Sequence, residues 1–232
     1  MALSAPKVKG VEVAEYAATP HPKPFFKTVL DGKRMFQGAR TTVTTKVDGD
    51  AMEIASVHET AVGRIDESAM LDTKGGGVAM RTLDRTQKDL TGKVVREERV
   101  DFASSAVLLP ERTFPEVILP FVLRGHSLAA RDFVYSWSVD RFVARVYFEV
   151  TKKGVSIAVP AGTFRTNHVV MYPDLNDWVP LGSVLTTLAK PLLPKYHMWF
   201  EEAAPHRVVR FEGAYGPPGA PELILELARS TP

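Results

Sequence analysis

The sequence contains no cysteine. That excludes disulfides, cysteine nucleophiles, iron–sulfur clusters and thiolate zinc. It leaves the redox compartment open, because a chain without thiols is at home in either. Long apolar runs are also missing. The most apolar stretches, residues 114–123 and 178–193, are both interrupted by prolines, and no window reaches the roughly 18 apolar residues of a spanning helix. No apolar run of signal-peptide length follows Met1, so the chain reads as soluble, and removal of a leader would leave the same sequence. Neither sign of charge dominates: Lys+Arg total 29 and Asp+Glu 27, a net charge of +2. Nucleic acid as a main partner would need a clustered basic footprint, so it is not expected.

The signatures of catalysis are absent too. No serine sits in a Gly-x-Ser-x-Gly elbow, and Gly75-Gly76-Gly77 lacks the Lys-Ser/Thr of a phosphate loop. The six histidines, His21, His58, His126, His168, His197 and His206, show no metal-type spacing. The adjacent acids Glu97-Glu98 and Glu201-Glu202 lie in strand-like segments, where neighbours point to opposite faces, so each pair is read as one solvated acid and one edge residue. No catalytic residue, metal ligand or cofactor is assigned.

What the sequence does have is β-strand patterning over most of its 232 residues, 45% of them hydrophobic. Residues 1–23, rich in Ala, Pro and Lys, read as an extended arm or linker, and 24–232 as a single β-rich domain. Residues 34–48 place Met35, Ala39, Val43 and Val47 on one parity. Asp48-Gly49-Asp50 then turns the chain into 51–59, an antiparallel hairpin. Residues 78–83 form a short strand, and 93–102, charged on one face, an exposed or edge strand. In the second half, Phe133, Tyr135 and Trp137 share a parity in 131–138. Ala144, Val146 and Phe148 share one in 142–150, and Lys153-Gly154 is read as a turn into 155–159. Strands are also expected at 163–172, 195–201, 206–212 and 222–228. Pro160-Ala161-Gly162 reads as a tight turn with a positive dihedral at the glycine.

Ten or so short strands with few helices predict a mainly β fold: a curved antiparallel sheet forming an open or closed barrel with one or two plug helices. Asp177 can cap a helix in which Leu181, Val184, Leu185 and Leu188 recur at i, i+3, i+4 and i+7, and whose other face is small and uncharged. Such a helix is expected to pack into or across the sheet. The segment 114–123 contains Pro120, so it is a kinked or short helix at best.

From Val155 onward the chain resembles a bacterial family. Val159-Pro160-Ala161-Gly162-Thr163-Phe164 is similar to that family's strand-turn-strand signature. Met198-Trp199-Phe200 resembles its strand around a tryptophan, and residues 207–213 with 222–227 resemble its closing hairpin. Upstream, Gly38, the Asp48-Gly49-Asp50 turn and residues 96–102 fit the same plan. The family is the domain of unknown function 3108 family. The resemblance spans residues 24–228, with its specific motifs in the last third. It implies an exported protein of the bacterial periplasm or cell envelope. It also implies a fold similar to the half-barrel of lipoprotein carriers, a curved sheet with a helical plug over an apolar hollow. The family has no catalytic residues to carry over. The sequence departs from it in the long apolar stretch 173–194 and in lacking a leader; a native N-terminus would instead fit the cytoplasm.

Three functions stay open. One is a non-enzymatic protein that binds or carries an apolar ligand, a lipid or acyl chain, in a pocket lined by Phe133, Tyr135, Trp137, Leu181, Val184, Leu185 and Leu188. Another is a structural or assembly protein with a filled core. The last is an enzyme using a barrel pocket, which would need a perturbed titrating group.

Overall fold

The computed structural model describes residues 3–24, 35–102, 104, 109–126, 131–137, 143–174, 177, 195–214 and 221–231. The strands are β1 (Val11–Pro20), β2 (Ala39–Asp48), β3 (Ala51–Thr60), β4 (Gly63–Asp72), β5 (Ala79–Lys88), β6 (Val94–Asp101), β7 (Thr113–Pro115), β8 (Asp132–Trp137), β9 (Val143–Val159), β10 (Gly162–Pro173), β11 (Tyr196–Glu201), β12 (Val208–Ala214) and β13 (Glu222–Thr231). A short helix, α1 (Leu119–Leu123), lies between β7 and β8. All thirteen strands form one open sheet, in the order β6-β5-β4-β3-β2-β1-β13-β12-β11-β10-β9-β8-β7. Every pairing is antiparallel except β7 with β8. The expected fold class is therefore correct.

Alternation builds the sheet. On β3, Met52, Ile54, Ser56 and His58 are buried, while the residues between them are half-buried. The same period runs through Ala14, Tyr16 and Ala18 on β1 and Leu223, Leu225 and Leu227 on β13. These positions define an inner face that carries one contiguous apolar core.

The interior of that core comes from the chain between β7 and β8. Parallel neighbours cannot be joined by a hairpin. The 16 residues between Pro115 and Asp132 make the crossover, and residues 117–124 among them are buried on the inner face. All five residues of α1 are buried, including Leu119, Phe121, Val122 and Leu123. A helix that is apolar all round must be buried. Proline near its start is compatible with the first turn. The ring of Phe121 meets Tyr16 of β1 edge-on at 5.9 Å. This crossover is the plug among the described residues. The helix expected from Asp177 to Lys190, with Leu181, Val184, Leu185 and Leu188, lies outside them apart from Asp177.

Three sequence readings are corrected. Residues 11–20 are no free arm: β1 is a sheet strand with β2 on one side and β13 on the other, Val13 opposite both Thr44 and Thr231. Its buried positions, Glu12, Ala14, Tyr16 and Ala18, follow the strand's own period of two. Leu3, ahead of β1, is fully buried. Lys153-Gly154 is not a turn, because β9 runs through it for 17 residues. Gly154 has φ +66°, and the register against β10 shifts around His168, so these residues form a bulge inside a long hairpin arm. Finally, β4 was not anticipated. Its inner positions are Glu67, Ala69 and Leu71, and an acid at one of them breaks the apolar alternation. The turn at Pro160–Gly162 has the expected form, with φ +130° at Gly162.

Candidate functional site

The structure separates the expected site residues. Phe133 and Tyr135 are half-buried, whereas Trp137 is buried. On β8, Phe133 stands opposite Tyr147 and Tyr135 opposite Arg145. Here, on the face away from the core, aromatic rings and guanidinium groups interleave. Phe133 meets Tyr135 and Tyr147 edge-on at 5.8 and 6.1 Å. Arg145 lies 5.5 Å over Phe133 and Arg112 lies 5.4 Å over it. Arg131 lies 4.4 Å over Tyr147. Arg112 is itself held bidentately by Asp132, at 3.1 and 2.8 Å. Trp137 packs instead against Phe102, rings 5.8 Å apart, within the core cluster. Phe133 and Tyr135 thus belong to a surface band and Trp137 to the interior. The four leucine and valine positions from 181 to 188 lie outside the described residues.

A second cluster, which the sequence did not signal, lies on the inner face beneath the plug. Thr41, Ser56, His58 and Glu67 are buried on consecutive strands β2, β3 and β4. The Thr41 hydroxyl and His58 Nδ1 are 3.0 Å apart, and His58 Nε2 is 3.0 Å from the Ser56 hydroxyl. The Ser56 hydroxyl donates to Glu67 at 3.3 Å. Arg85 of β5 donates from Nε to Glu67. Its remaining nitrogens face two further acids, Glu98 of β6 at 3.5 Å and Glu116 of the plug at 4.0 Å.

One guanidinium thus faces three carboxyls. Burial opposes ionisation of Glu67, but His58 and Arg85 outweigh it and hold its carboxyl below the usual range. Glu116 has no such close partner. Neither of its carboxyl oxygens has a hydrogen bond among the described residues. Burial, with the charges of Glu67 and Glu98 adding to it against Arg85, pushes its carboxyl up to about 7. Arg85 thus bridges β4, β6 and the plug, and burial favours the protonated form of Glu116.

A second buried charge anchors the other end of the plug. Arg124, 2% exposed, donates to Glu12 of β1 at 2.5 Å. The following residue, Gly125, faces the N-terminal segment so closely that a Cβ there would stand 2.3 Å from the Pro6 nitrogen and 2.4 Å from the Ala5 carbonyl carbon.

On the outer face, His168 and His197 stack with rings 5.2 Å apart, and His168 Nε2 lies 3.0 Å from His197 Nδ1. Trp199 stacks on His168 at 4.5 Å. Burial lowers the pKa of both imidazoles. No local pattern marks this pair, because 28 residues separate two positions that only the β10–β11 register brings together. No group of three or more potential metal ligands occurs among the described residues.

A shallow, open depression of about 480 Å³ lies over β1, β2 and β13, and Glu15, Arg40 and Arg229 are among its walls. No helix among the described residues is long and apolar enough to cross a membrane.

No family model matches the chain, and no curated protein does. Two solved structures align along its whole length at low similarity. One is a protein of Bacteroides fragilis inferred to be exported, with a YmcC-like fold: 12% identity, TM-score 0.35, 100% of both chains covered. The other is an inferred lipoprotein of Parabacteroides distasonis: 12% identity, TM-score 0.37, 99% of both chains. The resemblance to the domain of unknown function 3108 family therefore rests on the motif around Gly162 and the strands after it.

Proposed function

We propose that the protein is a structural or assembly protein, whose curved sheet is filled by its own plug rather than by an apolar cargo. The observation that carries this reading is the placement of residues 113–125. Phe114, Ile118, Leu119, Phe121, Val122 and Leu123 occupy the inner face at 0–2% exposure. Arg124–Glu12 ties the end of the plug to β1, and Glu116 at its start faces Arg85 of β5 at 4.0 Å. A carrier that must empty and refill gains little from a buried ion pair between its plug and β1, because each charge left alone on opening is costly. Location in a bacterial envelope, which the family resemblance implies, belongs to the same proposal.

A fluorescent fatty acid titrated into the protein tests the reading. The expected result is no saturable rise in emission. Saturable uptake that falls on Phe133→Ala or Tyr135→Ala would favour the carrier reading. Those two aromatics are the expected lining residues left half-exposed on the surface, and they are the specific observation in that reading's favour.

A further inference from the structure

We infer that β6 is the interface through which two copies of this chain join, edge to edge and antiparallel. The inference rests on the assembly reading above and names its partner.

β6 ends the strand order, so among the described residues its outer edge has no ladder partner. It is eight residues long, and six of them are exposed. Such an edge is a template for another strand. Apolar exposure gathers at the same corner. Of the five large apolar side chains exposed among the described residues, four are Val62, Leu90, Val94 and Val95, at 53, 73, 42 and 55%. Leu90 lies in the turn that leads into β6. Val62 lies in the β3–β4 turn, which the close approach of Gly63 to the Lys88 carbonyl brings beside it.

The order of charges selects the partner. An edge guarded by one sign of charge repels a copy of itself. β6 instead reads Val94-Val95-Arg96-Glu97-Glu98-Arg99-Val100, in which Arg96 and Glu98, of opposite sign, flank Glu97. A two-fold axis at Glu97 sets Val94 opposite the partner's Val100 and Arg96 opposite the partner's Glu98, each twice by symmetry. All of these residues share the face that carries the half-buried Glu98. On the exposed face, Glu97 meets the partner's Glu97 in water, with the partner's Arg99 on the diagonal. Shifting the axis to Glu98 would instead oppose two half-buried acids, so the register centred on Glu97 is the favoured one. Pairing there continues the sheet from one chain into the next and brings the second copy beside Val94, Val95 and the Leu90 turn.

The chain's lack of cysteine makes the test direct. Sedimentation equilibrium of the full chain should give a dimer. Arg96→Glu, which sets acid against the partner's Glu98 twice, should weaken it by about tenfold with an unchanged circular dichroism spectrum. Glu97→Cys, at the two-fold axis, should form a disulfide-linked dimer on mild oxidation, and Glu59→Cys, exposed on β3, should not. A wild-type monomer across the micromolar range would overturn the inference. So would Glu97→Cys crosslinking no faster than Glu59→Cys, including the case where the edge takes up a strand from a different protein. A monomer that binds no fatty acid would overturn edge pairing alone, whereas a dimer that binds fatty acid saturably would overturn the filled-interior reading and leave the pairing standing.

Discussion

Glu116 shares a single half-buried arginine with two other acids, and neither of its carboxyl oxygens has a hydrogen bond among the described residues. Its pKa near 7, against an ordinary 4.5, fixes the sign of its effect on stability. Below about pH 4.5 the carboxyl is protonated whether the chain is folded or unfolded, and its contribution is complete. As pH rises towards 7 the unfolded chain releases the proton and the folded chain keeps it, so stability falls, and above 7 the contribution is lost. The gap amounts to on the order of 3 kcal/mol. Glu67, held low by His58 and Arg85, acts in the opposite sense and loses its contribution on acidification. Urea unfolding of wild type and Glu116→Gln as a function of pH checks this. Between about pH 4.5 and 7 the wild type should lose stability relative to the variant; parallel curves would mean that Glu116 does not carry the proton. Very little of this was legible. Glu116 follows a three-residue strand, Glu67 breaks the apolar alternation of β4, and Arg85 and Glu98 look like ordinary surface charges of hairpin arms. Only the meeting of β4, β5, β6 and the plug makes them a cluster.

The plug is the element on which the functional reading turns. The apolar run 114–123 with its proline was legible as a short or kinked helix, and α1 is five residues long. Its role was not legible, because the longer periodic pattern after Asp177 was the more obvious candidate to fill the sheet. Burial on every side, rather than helical period, is what marks residues 119–123. Phe121→Ala removes a ring packed against Tyr16 in the middle of the core and should cost about 3–5 kcal/mol, as measured by urea unfolding. A loss below about 1 kcal/mol would mean that the sheet holds together without its plug. The β2–β3 hairpin and the turn that joins β9 to β10 were legible from period two and turn chemistry, whereas β4 was not. The bulge at Gly154 was not, since Lys-Gly marks a turn and a bulge equally well.

At the scale of the whole molecule, the sheet curls until its ends touch through side chains. Phe102, just past β6, meets Trp137 at the end of β8, and Arg85 of β5 faces Glu116 just after β7. No ladder closes this seam. Sequence could supply a curved antiparallel sheet, since neighbours along the chain are mostly neighbours in space. It could not supply the pairing of β1 with β13, whose contacts join the two ends of the chain, or the parallel pairing of β7 with β8. Both are long-range choices that no local pattern encodes, and both bear on function, because the crossover from β7 to β8 is what fills the interior. The most direct measurement is therefore a native mass spectrum of the intact protein after mild purification. The account predicts masses that are whole multiples of the 25.6 kDa chain and nothing more. A persistent adduct of acyl-chain mass, lost on organic extraction, would contradict it.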